Sequence, residues 1–124
     1  MNPNTPILVG VATVQQKTAD YQQALEAVAL MEQALRQAAA DAGAPTLLQR
    51  ASEILVPKGI WGYSDPGRLL ADALGPEQAG TVLGEIGVPQ QTLLTRACQR
   101  IASGDFQIDF DRIAAQILVN EQDF

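Results

Sequence analysis

Short apolar runs alternate with segments of helical periodicity along the 124 residues. The first run, Ile7-Leu-Val-Gly-Val-Ala-Thr-Val14, is compact and rich in β-branched residues, the composition of a buried strand. A polar lead-in, 1–6, precedes it. Gln15–Ala19 then bridges to an Ala-rich segment, Asp20–Ala42, with Thr18 or Asp20 placed to cap its start. In that segment Leu25, Val28, Leu35, Ala39 and Ala42 fall on one side at helical spacing, and Ala24, Ala27, Met31, Ala34 and Ala38 widen the stripe. Gly43 and Pro45 supply the usual stop, a glycine just past the last turn and a proline soon after.

Thr46–Ala51 reads as a helical turn, and Ser52-Glu-Ile-Leu-Val-Pro-Lys58 as a second strand closed by Pro57. The loop Gly59–Gly67 holds the only Trp. Within it, Ser64 or Asp65 caps a helix with Pro66 at its first position, carrying Leu69, Leu70, Ala73 and Leu74 inward until Gly75-Pro76. A third strand, Thr81–Ile86, turns at Gly87 into a helix over Pro89–Ser103. The order βαβαβα predicts one α/β domain over 1–124, of three-layer type with a mostly parallel sheet. From residue 110 onward Phe110, Ile113, Ala114, Ile117 and Leu118 suit an amphipathic helix, with Ile117-Leu-Val119 as a short strand the alternative.

Composition narrows the chemistry. A net charge of −6 with only eight scattered basic residues argues against nucleic-acid binding, which needs clustered Lys and Arg. No apolar run is long enough for a membrane span, and the N-terminus lacks the pattern of a secretory signal. A lone cysteine fits a reducing compartment, so a cytoplasmic location is expected. Most restrictive is the absence of histidine, which removes every Ser-His or Cys-His pair, a histidine general base and histidine metal ligands.

The order of elements and the local wording together resemble the opening part of a thiolase-superfamily protein, closest to the acetyl-CoA acetyltransferase and sterol-carrier-type branch. The residues carrying the resemblance are Thr5-Pro-Ile-Leu-Val-Gly-Val-Ala12, Ala38-Ala-Ala-Asp-Ala-Gly43, Gly59-Ile-Trp-Gly-Tyr-Ser-Asp-Pro-Gly-Arg-Leu-Leu70 and Gly84-Glu-Ile-Gly-Val-Pro-Gln-Gln-Thr-Leu93. It covers residues 5–105, the first part of a thiolase N-terminal half. The resemblance implies carbon–carbon bond formation or cleavage next to a CoA thioester, with acyl-CoA as substrate class, no covalently bound cofactor and a place in lipid metabolism. The family's nucleophilic cysteine falls at Val88 here, and its catalytic histidine and second cysteine belong to the half this chain does not match. No catalytic residue is therefore assigned. The tail Asp105–Phe124 departs from the family, so the chain is read either as a natural small relative or as a piece of a longer protein, incomplete as a catalyst by itself.

Several residues remain as candidates. Gln90 and Gln91, at the start of the last helix, could donate to an acyl carbonyl oxygen, or could simply be solvated first-turn residues. Trp61 and Tyr63 could line a channel for the apolar part of a ligand, or plug the domain's own core. Cys98 lies about 15 Å beyond the helix start at 1.5 Å per residue, too far for the dipole to activate it, and shares a face with Leu94 and Ile101 as a core thiol. Asp109 and Asp111 read as solvated charge, and no metal site is assigned. Thr81, Val82, Leu83, Glu85 and Ile86 form the candidate interface, because an apolar strand at a sheet edge seeks a partner strand. The resembled family places its dimer contact there too, which implies a homodimer through 81–87 and the following helix. The alternative is a non-catalytic assembly module that pairs with itself or with a larger thiolase-like subunit.

Overall fold

The computed structural model describes residues 5–17, 20, 22–76, 78–85, 87, 90–104 and 115–118. Helix α1 covers Ala27–Asp41, a 3-10 turn follows over Pro45–Arg50, and strand β1 runs over Ala51–Pro57. Helix α2 (Pro66–Leu74), strand β2 (Gly80–Gly84), helix α3 (Gln90–Ser103) and strand β3 (Ala115–Leu118) complete the order. The three strands form a parallel sheet in the order β2-β1-β3.

That order decides where the helices go. The connection from β1 to β2 moves one way across the sheet, and the connection from β2 to β3 moves back past β1 to its far side. Crossovers of one hand running in opposite directions must lie on opposite faces. Accordingly α1, α2 and the 3-10 turn pack on one face, where Met31, Leu35, Ala39, Leu48, Leu70, Ala71 and Leu74 surround Ile54 and Val56. On the other face Leu93 and Ala97 of α3 pack against Leu55, with Val82 alongside. Strand alternation explains the split, since residues two apart share a face. The result is the expected three-layer α/β arrangement, with β1 at its centre: Ile54 and Leu55 are 0% exposed and Val56 1%.

Local chemistry sets the ends of these elements. Asp65 caps α2, its side chain accepting the Arg68 N–H at 3.2 Å, with Pro66 in the first turn. Gly75 closes the same helix at φ +104°, a left-handed conformation that glycine adopts at little steric cost. Helix α1 begins later than its composition suggests: Glu26 stands at its N-cap and makes no side-chain capping bond, and Leu25 is exposed outside the helix. Asp20 instead accepts the Gln22 N–H in a local turn, and Thr18 lies outside the described residues. Among the described residues no helix is long and apolar enough to cross a membrane.

Two expectations are corrected. Ile7–Val14 is not a buried strand, so the order among described residues starts from a helix rather than a strand. Both neighbours of β1 are already taken by β2 and β3, and the run instead crosses the last turn of α1. There the Val11 N–H donates to Asp41 Oδ2 at 3.1 Å, and a Cβ on Gly10 would collide with the Ala38 carbonyl oxygen. Ile7, Leu8, Val9 and Val11 are 73%, 82%, 57% and 64% exposed. The second correction concerns the tail, where 115–118 is strand, not helix, because β1 offers it a ladder with Ile54 opposite Ile117 and Leu55 opposite Leu118. Residues 110–114 of the expected helix lie outside the described residues.

Candidate functional site

Because the crossovers leave β1 and β2 toward opposite faces, the chain parts at the carboxyl end of this strand pair. Open α/β sheets bind ligands outside the carboxyl ends of their strands; in the order β2-β1-β3 the reversal itself lies between β1 and β3, so the β1–β2 end is a candidate by the carboxyl-end rule alone. Here the Lys58 N–H donates to the Gly84 carbonyl at 2.8 Å, closing the ladder one residue beyond β1. Just past it lies an open hollow of about 550 Å³ lined by Lys58, Leu83, Gly84 and Glu85.

The loop after β1 is tied down on both sides of this hollow. Lys58 Nζ sits 5.0 Å from the Trp61 ring centroid, a cation–π distance, and the Trp61 and Tyr63 rings are 5.3 Å apart at a tilt of 41°. Tyr63 Oη donates to Glu26 Oε2 at 3.3 Å and accepts the Val28 N–H at 3.4 Å, which fastens the loop to the start of α1. Asp65 accepts a hydrogen bond from Thr81 Oγ1 at 3.1 Å and so fastens it to β2. Trp61 packs against the core on the α1 side. Trp61 thus reaches the core, and Tyr63 fastens the loop to the start of α1.

Gln90 and Gln91 are exposed in the first turn of α3. Gln91 donates to Thr95 Oγ1 at 3.4 Å and lines a separate hollow of about 590 Å³ with Thr92, Thr95, Arg96 and Gln99, all along the outer side of one helix. The two hollows share no lining residue, so the structure does not gather Trp61, Tyr63 and Gln91 into one site. Val88, the position matched to the family nucleophile, lies outside the described residues, as do Ile86, Pro89, Asp109 and Asp111. Cys98 is half-buried and Leu94 is exposed; α3 turns Leu93 and Ala97 to the core, one residue before the face expected.

Of the candidate interface residues, Thr81, Val82 and Leu83 lie on β2 and Glu85 just past it, while Ile86 lies outside the described residues. Strand β2 is an edge strand, with Thr81, Val82 and Leu83 half-buried and Glu85 exposed beyond its end. Among the described residues no group of three or more His, Cys, Asp or Glu side chains could hold a metal.

One functional-looking cluster escaped the sequence reading. Glu53 is 2% exposed on the α3 face of β1, where its Oε2 accepts from Arg100 Nη1 at 2.8 Å and its Oε1 pairs with Arg96 Nη2 at 3.3 Å. The signal was present: Glu53 alternates with inward Leu55, and Arg96 and Arg100 stand one helical turn apart. A buried carboxylate is retained when it is paired, so this cluster fixes α3 over the sheet. The two arginines are 46% and 32% exposed, and they carry one positive charge beyond what Glu53 neutralises.

The described site thus offers one cation, one anion and an open floor, with no nucleophile beside a base. No family model, curated protein or solved structure matches the chain.

Proposed function

We propose that this chain is the N-terminal scaffold portion of a thiolase-like acyl-CoA acyltransferase or aldolase, catalytically incomplete by itself and completed by another polypeptide segment. The observation that supports this reading is the β2-to-α3 unit. The stretch that most resembles the family forms a parallel strand followed by a helix whose first turn carries Gln90 and Gln91, at an edge of the sheet open to a partner. The chain's contribution is then position rather than chemistry: a carboxyl-end hollow for part of the acyl-CoA, and an edge on which the completing segment docks. With no histidine in the chain, a thiolase-type histidine base would be supplied by the completing segment.

The experiment has two arms. Purified chain mixed with a short-chain 3-ketoacyl-CoA and free CoA gives no thiolysis; robust turnover by the chain alone contradicts the reading. In the second arm CoA is titrated into isotope-labelled protein, and amide resonances of Lys58, Leu83–Glu85 and Gln90–Thr92 shift. A spectrum unchanged at millimolar CoA removes the acyl-CoA assignment.

The edge position of β2 favours a second reading, a non-catalytic assembly module that pairs with itself or with a larger subunit. Lys58 and Glu85 leave the hollow without net charge, poor recognition for a polyphosphate. Under this reading the chain sediments as a homodimer and ignores CoA, whereas a stable monomer at micromolar concentration contradicts self-pairing.

A further inference from the structure

Among the described residues the molecule carries an apolar run outside any sheet and a sheet edge without a neighbouring strand. The run is Ile7–Val11, with Ile7, Leu8, Val9 and Val11 each more than half exposed. The edge is β2, Gly80–Gly84. We propose that Ile7–Val11 is a donor strand that adds to the β2 edge of a second copy of this chain, so that two copies exchange strands reciprocally. This inference rests on the self-pairing reading above and deepens it by naming the segment that meets β2.

Composition and charge support the match. Soluble proteins protect edge strands with lysine, proline, bulges or very short length, because an edge presents a row of unsatisfied N–H and C=O groups. Gly80-Thr-Val-Leu-Gly84 contains no charge and no proline, and it pairs with β1 in an unbroken register from Glu53–Gly80 to Pro57–Gly84. The donor, Ile7-Leu-Val-Gly-Val11, is also five residues long and uncharged. Strand addition would therefore bury no unpaired charge, while main-chain hydrogen bonds supply affinity. In extended form Ile7, Val9 and Val11 lie on one face and Leu8 on the other, so both faces of the added strand bring apolar cover to the sheet.

The anchorage of the run suits donation outward. The hydrogen bond from Val11 N–H to Asp41 and the close approach of Gly10 to the last turn of α1 fix where the run leaves the body. Residues before Gly10 project from that point with their side chains in water. The central strand β1 has both edges occupied and cannot accept them. Two identical copies satisfy both deficiencies at once, and reciprocal exchange under two-fold symmetry closes the assembly at a dimer.

The test is sedimentation of the intact chain beside Leu8→Asp and Val9→Asp. Both side chains are already exposed, so the monomer fold is retained, which circular dichroism and thermal melting check. The expected result is a concentration-dependent dimer that each substitution weakens at least about tenfold. Hydrogen exchange gives an independent reading: the outward-facing Thr81 and Leu83 amides slow in the wild-type dimer and exchange rapidly in the variants. A dimer of unchanged affinity in Leu8→Asp overturns strand donation while leaving self-pairing through β2 standing. A wild-type chain that stays monomeric at high micromolar concentration overturns both.

Discussion

Ile7–Val11 and Ile54–Val56 are near-equivalent in composition and opposite in fate. Each is a β-branched and leucine-rich run that hydropathy alone would bury. Yet Ile54, Leu55 and Val56 are at most 1% exposed, whereas the first run has Leu8 at 82%. The difference lies in what flanks them. Strand β1 has a strand on each side, α1 and α2 on one face and α3 on the other, so each of its side chains meets partners. The leading run meets the end of α1 through Gly10 and Val11, with its large side chains exposed. Apolar composition gives a segment the tendency to be covered, and topology decides whether the same chain can cover it.

Mutations probe the contrast most strongly at β1. Leu55→Ala should cost about 2–5 kcal/mol by urea unfolding, the range for emptying a fully buried aliphatic site. A cost under about 1 kcal/mol would mean that β1 is not the centre of the core. Next in size is the polar point on the same strand. Removing both Arg96 and Arg100 as alanines strands a buried carboxylate and should cost about 3 kcal/mol, whereas Glu53→Gln should cost only about 1–2 kcal/mol, since the partly exposed arginines can turn to water. Equal losses in the two variants would show that Glu53 is hydrated rather than buried.

Smaller effects mark the loop and the leading run. Asp65→Ala removes the α2 cap and the tie to Thr81, and should lower stability by about 1 kcal/mol, read as a melting-temperature drop. Leu8→Ala should change monomer stability by no more than about 0.5 kcal/mol, the surface range. A large loss there would place Leu8 in a core and erase the comparison.

These regions also show what could be read from the residues. The α2 helix was legible end to end, because Asp65-Pro66 and Gly75-Pro76 punctuate it with residues whose backbone preferences admit few alternatives. The 3-10 turn and the strands β1 and β2 were legible within a residue or two. The leading strand was misread because β character is a preference for a pleated, half-buried surface, and the sequence does not say which strands adjoin. The tail stays open between helix and a short strand at Ile117–Val119 for a related reason: an isolated four-residue run carries helical spacing as readily as strand alternation, and only the free side of β1 selects the strand, at Ala115–Leu118. At the site, Trp61 and Tyr63 were correctly placed on the loop after β1, but pairwise spacing could not show that Gln91 opens onto a different hollow. The Glu53 staple spans 47 residues to Arg100, a separation at which local pattern has no reach.

Among the described residues the middle strand β1 is flanked on both sides, and the proposed strand exchange would finish the β2 edge from a second copy. Hydrogen exchange measured at low and at high micromolar protein tests it most directly. The expected result is that the amides of β1, and of Val82 which faces it, exchange slowly at both concentrations, while Thr81 and Leu83 become protected only at the higher one. Protection of Thr81 and Leu83 that is equally strong at both concentrations, or absent at both, would contradict an edge built for a partner.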